Sequence, residues 1–249
     1  MINLLSSGVD TQSEKFVEAK RTGWDNLGWI KNNITAAPDQ TVLVMVGGMS
    51  PTSFRLRVAQ SHVRSDLLPS YWSHVMMLDK VSKNIGATRI HEISLEPREG
   101  FGFPATANGV QTGKLNQYAD GAEYPNIALI HVQVNLKKAK EALDKFTRQR
   151  AVLDGVDLIV HWLAYVWGVA RSPNPLLDGL GIPSAAMLEI VMGATGVDLT
   201  PGLESRSSCP EAIWQAARWW HEYYKSQNKP GLTGAYCTPH SIPGKPPKD

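Results

Sequence analysis

Thr41-Val42-Leu43-Val44-Met45-Val46, closed by Gly47-Gly48, is an unbroken apolar run of strand length. A run of that kind with glycine after it reads as a strand buried on both faces. Three further strand candidates follow it: Tyr71–Asp79, Thr88–Leu95 and Asn126–Asn135. After residue 136 the period changes. Leu136, Ala139, Leu143 and Phe146 fall at helical spacing, with Lys137, Lys138, Lys140, Lys145, Arg148 and Arg150 on the opposite, solvated side. Residues 156–170 read as a buried helix, 184–194 as another and 210–225 as a last one. Strands first and helices later predict an α+β fold with an antiparallel sheet packed against helices.

Around that centre the chain divides into three parts. Residues 1–40 read as an N-terminal helical extension, because Phe16, Ala19, Lys20, Gly23, Leu27 and Ile30 share helical spacing over 13–33. Ala37-Pro38-Asp39 marks a turn before the first strand. Residues 41–225 form the main domain, with a helical insertion over about 151–205. Residues 226–249 carry Pro230, Pro239, Pro243, Pro246 and Pro247 with few large apolar residues, which predicts an extended tail. Residues 51–70 read as loop or short helix, and the Gly/Pro/Asn-rich residues 97–125 as a long functional loop.

Composition narrows the classes of function. The 249 residues are 43% hydrophobic and 19% charged, enough for a full core. Lys+Arg 25 against Asp+Glu 23 leaves a formal net charge of +2, without the basic excess of a nucleic-acid binder. Two cysteines exclude a disulfide scaffold and an all-cysteine zinc cage. The N-terminus has no secretory pattern and the apolar stretch Val156–Ala170 is too short to cross a bilayer, so a cytoplasmic protein without a transmembrane segment is expected. No cofactor or metal is expected. Cys237 and His240 are at most half a zinc site, and a metal reading built on His74, Glu92 and His131 lacks HExxH-type spacing.

Ser207-Ser208-Cys209-Pro210-Glu211-Ala212-Ile213-Trp214 carries the chemistry. Ser208 and Glu211 have the spacing of a capping box, and Pro210 suits a first helical turn. Cys209 thereby stands at a helix start, where unpaired amides and the helix dipole lower a thiol's pKa and can hold an oxyanion. A thiol nucleophile needs a base. His74 lies mid-strand in Ser73-His74-Val75 and shares a face with Trp72, Met76 and Leu78; His131 has a similar strand position. His221 is three turns from Cys209 on the same helix and out of reach, and His161 reads as a core histidine. A base needs an orienting group, and the next strand offers Glu92, with Glu96 at its end.

This order of Thr41–Val46, Ser73-His74-Val75, Ile90-His91-Glu92-Ile93, Ile127–Val134 and Ser208-Cys209-Pro210-Glu211 resembles the circularly permuted NlpC-type papain-like hydrolases, the group that includes lecithin:retinol acyltransferase-like proteins. The resemblance implies a permuted papain-like fold and a cysteine hydrolase or acyl/peptidyl transferase. Cys209 would be nucleophile, His74 general base and Glu92 the orienting residue, with a thioester intermediate on an amide- or ester-containing peptide, lipid or protein. The long segment 151–205 and the N-terminal extension depart from the pattern. The alternative is a non-catalytic binding or assembly module on the same fold, with its eight tryptophans and the C-terminal tail contacting a protein partner.

Overall fold

The computed structural model describes residues 16–35, 37, 39–96, 103–150, 154–228 and 232–240. Its centre is β2 (Thr41–Gly47), every residue of which is buried. β3 (His74–Leu78) pairs antiparallel on one side, with Val46 opposite His74 and Val44 opposite Met76. β6 (Asn126–Val132) pairs antiparallel on the other, with Val46 opposite Ile127. β4 (Arg89–Glu92) and β5 (Gln111–Lys114) extend the sheet beyond β3, again antiparallel. The fold is α+β, as the order of periodicities predicts.

Two layers cover this sheet, which is why β2 is apolar at successive positions rather than alternate ones. Leu43, Met45, Val75, Met77, Ala128 and Ile130 face the helices that follow β6. These are α3 (Leu136–Arg148), α4 (Gly155–Trp167), α5 (Pro183–Gly193) and α6 (Pro210–Ser226). Val42, Val44, Val46, Met76, Leu78 and Ile127 face the other way, toward Trp29 and Ile30 of α1 (Asn26–Asn33) and toward Leu115, Tyr118 and Tyr124. α5 lies at the centre of the helical layer. Its residues Pro183–Glu189 are all buried, so it is enclosed all round rather than along one stripe. Val169–Gly193 reaches the length and apolarity of a membrane span, yet most of it is buried inside the fold and Pro173, Pro175 and Pro183 interrupt it.

Two expectations are corrected at the ends of the chain. The helix predicted over 13–33 starts only at Asn26; Phe16–Glu18 is a strand, β1. The tail predicted to be extended contributes Thr233–Cys237, β7, which lies between β1 and β6 inside the sheet. Gly234 explains its tight fit, because a Cβ there would stand 2.2 Å from the Leu129 carbonyl oxygen and 2.6 Å from the Phe16 ring. The stretch 51–70, read as loop or short helix, does contain a short helix, α2 (Pro51–Ala59), capped by the Ser50 side chain on the Ser53 amide. Helices α4 and α5 of the supposed insertion 151–205 build the main core rather than an appendage. Pro38, residues 97–102 of the long loop and the prolines beyond 240 lie outside the described residues. Four tryptophans, Trp29, Trp72, Trp162 and Trp214, are core residues. Trp214 contacts Trp72 at 4.8 Å, Phe16 at 5.1 Å and Tyr236 at 5.2 Å between ring centroids, tying α6 to β1 and β7.

Candidate active site

His74 is the first residue of β3, beside the turn that ends β2. Ser73 fixes that turn: its hydroxyl accepts from the Gly48 amide at 3.0 Å. Only glycine fits at position 47, because a Cβ would meet the Tyr71 carbonyl oxygen at 1.8 Å. The register sets Leu78 opposite Ile90, so alternation puts Glu92 on the face that holds Met76 and His74. The two side chains meet diagonally. His74 Nε2 lies 2.7 Å from Glu92 Oε2, and both residues are buried.

Tyr118 completes the arrangement. Its hydroxyl donates to the same Glu92 Oε2 at 2.6 Å, and its ring stacks beside the imidazole, 6.0 Å between centroids at 23°. Asn26 Nδ2 holds the carbonyls of Tyr118 and Tyr124 at 2.9 and 3.0 Å, which anchors the turn that carries the tyrosine. Glu92 Oε2 thus meets both the His74 ring and the Tyr118 hydroxyl, which fixes the orientation of the imidazole. Among the described residues His74 Nδ1 has no hydrogen-bond partner. That nitrogen is the one left for a substrate or nucleophile. The narrow cleft at His74 is lined by Ser53, Ser73, Ser94, Glu96, Tyr118 and Ile182, among others. Glu96 lines the cleft too, but its Oε1 accepts from Ser50 Oγ at 2.6 Å; Glu92 is the residue that meets the imidazole.

Cys209 is placed differently. It is the N-cap residue of α6, and it is 1% exposed within the core on the helical side, with Trp72, Ile213 and Trp214. His74 and Glu92 occupy the opposite face of the sheet, and no hydrogen bond joins the thiol to the imidazole. Burial pushes the thiol up to about 12, the Glu211 carboxylate adding to the effect and the amides of Ala212 and Glu211 opposing it. The lowered pKa expected of a thiol at a helix start is therefore reversed here: desolvation outweighs the helix terminus. Ser208 accepts from the amide of Ile182 at 2.9 Å, and Ile182 is a wall of the cleft.

The capping box is also replaced. Ser208 Oγ is buried without a partner. The Glu211 amide is capped from outside the helix by Gln60 Oε1 at 2.8 Å, which takes one of the donors expected for an oxyanion. The Glu211 carboxylate instead accepts from Ser70 Oγ and Gln215 Nε2, each at 2.6 Å. Burial raises its pKa, offset by Ser70, Gln215 and the charge of Arg64.

The other candidates fall away from the cleft. His131 stands opposite Val42, four residues along β6 from the Ile127 that pairs with Val46, or about 13 Å at strand rise. Its Nε2 meets Thr35 at 3.1 Å, and burial lowers its pKa. It joins neither His74 nor Glu92, so the three do not form a metal-binding set, and no group of three or more His, Cys, Asp or Glu is so arranged among the described residues. His240 is engaged with Arg57 and Asn126 rather than with Cys237. His161, read as a core histidine, is solvent-exposed and meets the Asp157 carbonyl at 2.9 Å. Tyr118 is invisible to motif reading: it ends a short 3-10 helix, Leu115–Tyr118, 26 residues from Glu92, and only the fold brings it there. Comparison with protein-family models, curated proteins and solved structures gave no match to this chain.

Proposed function

We propose that the chain is a cysteine hydrolase or acyl/peptidyl transferase of permuted papain-like type, acting on an amide or ester bond. The observation that carries this reading is the His74–Glu92–Tyr118 arrangement, with His74 Nδ1 left open on a cleft. Glu92 orients the ring and stabilises the imidazolium that forms when His74 takes a proton. Cys209 is the nucleophile: its S–H proton passes to His74, the sulfur attacks the carbonyl carbon, and the imidazolium returns the proton to the leaving amine or alcohol. The thioester is then cleaved by water or an acceptor, whose proton His74 removes. In the resting state the thiol is protonated and packed away, so substrate entry has to turn the start of α6 toward the cleft past Ile182. Both cysteines are free, which suits a reducing, cytoplasmic setting.

A second reading, a binding or assembly module on the same fold, is favoured by one observation, the 1% exposure of Cys209. On this reading the tryptophans and the C-terminal tail, residues 226–249, contact a protein partner. A panel of activated p-nitrophenyl esters and amides, assayed with wild type, Cys209→Ala and His74→Ala, separates the two. Turnover lost in both variants supports the enzyme. Wild-type protein no faster than either variant supports the module.

A further inference from the structure

We infer that Glu96 selects the substrate of the proposed enzyme: the acyl group carries a cation, an ammonium or guanidinium, a few bonds from the carbonyl that is attacked. The inference rests on the enzymatic reading given above. Glu96 stands four residues beyond Glu92, at most about 13 Å along an extended chain, and it lines the same cleft as His74. Its position is fixed from both ends. Oε1 accepts from Ser50 Oγ at 2.6 Å, and the Glu96 amide donates to Ser94 Oγ at 3.1 Å. Ser50 is held in turn, because its hydroxyl oxygen caps α2 by accepting from the Ser53 amide at 3.0 Å. The carboxylate is thereby in place before a substrate arrives, and its second oxygen takes no hydrogen bond from the described residues.

Charge decides what the cleft accepts. Among the described residues its wall holds hydroxyl, tyrosine and apolar side chains, the imidazole of His74 and one carboxylate, Glu96, but no lysine or arginine. No ion pair joins Glu96 to a cation among the described residues. Arg98 and Glu99, which follow it, lie outside those residues and cancel in formal charge. Glu92 is not free for this role, because its Oε2 is committed to His74 and Tyr118. A carboxylate without a counter-ion in a narrow cleft attracts a cationic group through charge-assisted hydrogen bonds and repels an anionic one. A role for Glu96 as a second orienting group fits worse, since the imidazole meets Glu92 and makes no bond to Glu96.

The test compares initial rates of the full chain on the p-nitrophenyl esters of ε-aminocaproic, heptanoic and adipic acids. The three acyl chains match in length and end in a cation, a methyl group and an anion. Wild type is expected to show kcat/KM about tenfold higher on the aminocaproyl than on the heptanoyl ester, chiefly through KM, and lowest on the adipoyl ester. Glu96→Gln keeps the shape of the side chain and should bring the aminocaproyl-to-heptanoyl ratio to about one. Glu96→Lys should place the adipoyl ester first. Ratios within one preparation do not depend on how much of it is folded. Turnover without preference in wild type, or a preference that Glu96→Gln retains, overturns the inference and leaves the enzymatic reading standing. Absence of turnover of all three esters by wild type overturns both.

Discussion

His74 Nε2 and Glu92 Oε2 lie 2.7 Å apart across two neighbouring strands, and Tyr118 donates to the same carboxylate oxygen at 2.6 Å. The pair sets the tautomer and tilt of the ring. Replacing Glu92 by Gln keeps the shape and removes the charge that stabilises the imidazolium. Turnover of an activated ester is expected to fall about 10²-fold or more. An unchanged rate would remove Glu92 from the mechanism.

Tyr118→Phe deletes one hydrogen bond to a charged, buried group. A loss of about 1.5–3 kcal/mol of stability is expected in urea unfolding. The Tyr118→Phe, Glu92→Gln double variant should lose less than the sum of the two singles, since both changes act on one contact. Additive losses would show that the two residues act separately.

Glu189 on α5 accepts from the amides of Leu199 and Thr200, each at 3.1 Å, while its second oxygen is buried without a partner. Burial raises its pKa to about 7, and the neighbouring Asp198 adds to the shift. The folded state thus binds this proton more tightly than the unfolded chain does. Its contribution to stability is complete below the ordinary glutamate value and is lost as pH rises through about 7. Wild type should be on the order of 2–3 kcal/mol more stable at pH 5 than at pH 8 through this group, and Glu189→Gln should flatten that difference.

The C-terminal strand is integral to the fold. Gly234→Ala forces a Cβ against the Leu129 carbonyl and the Phe16 ring, with an expected cost of about 1–3 kcal/mol. A chain stopped after Ser226 loses β7, leaving β1 without its partner and β6 with an open edge. Cooperative unfolding by that truncated chain at the wild-type temperature would contradict the account.

The sequence patterns reach some of this and not the rest, for physical reasons. β2 and β6 are legible because burial on both faces demands continuous apolar residues. Glu92 could be paired with His74 because strand alternation restricts which carboxylates can face the ring. β1 and β7 are not legible: Phe16-Val17-Glu18 and Thr233-Gly234-Ala235-Tyr236-Cys237 are short, and only their partners make them strands. The state of Cys209 is not legible either, because the first-turn pattern is local, whereas its burial comes from Trp72 and Trp214 at distant positions. The Gln60 cap on α6 has the same origin, a side chain 151 residues away.

The resting thiol should be inert. Iodoacetamide at neutral pH is expected to modify half-buried Cys237 before Cys209, while urea exposes both equally. Modification of Cys209 first would show an open thiol in the free protein.

The most direct test of the central claim is mass-spectrometric mapping of the acyl group after brief exposure to a p-nitrophenyl ester. A thioester on Cys209, absent in Cys209→Ala and formed at least about 10²-fold more slowly in His74→Ala, is the predicted result. No adduct, or an adduct on another residue that persists in Cys209→Ala, contradicts it.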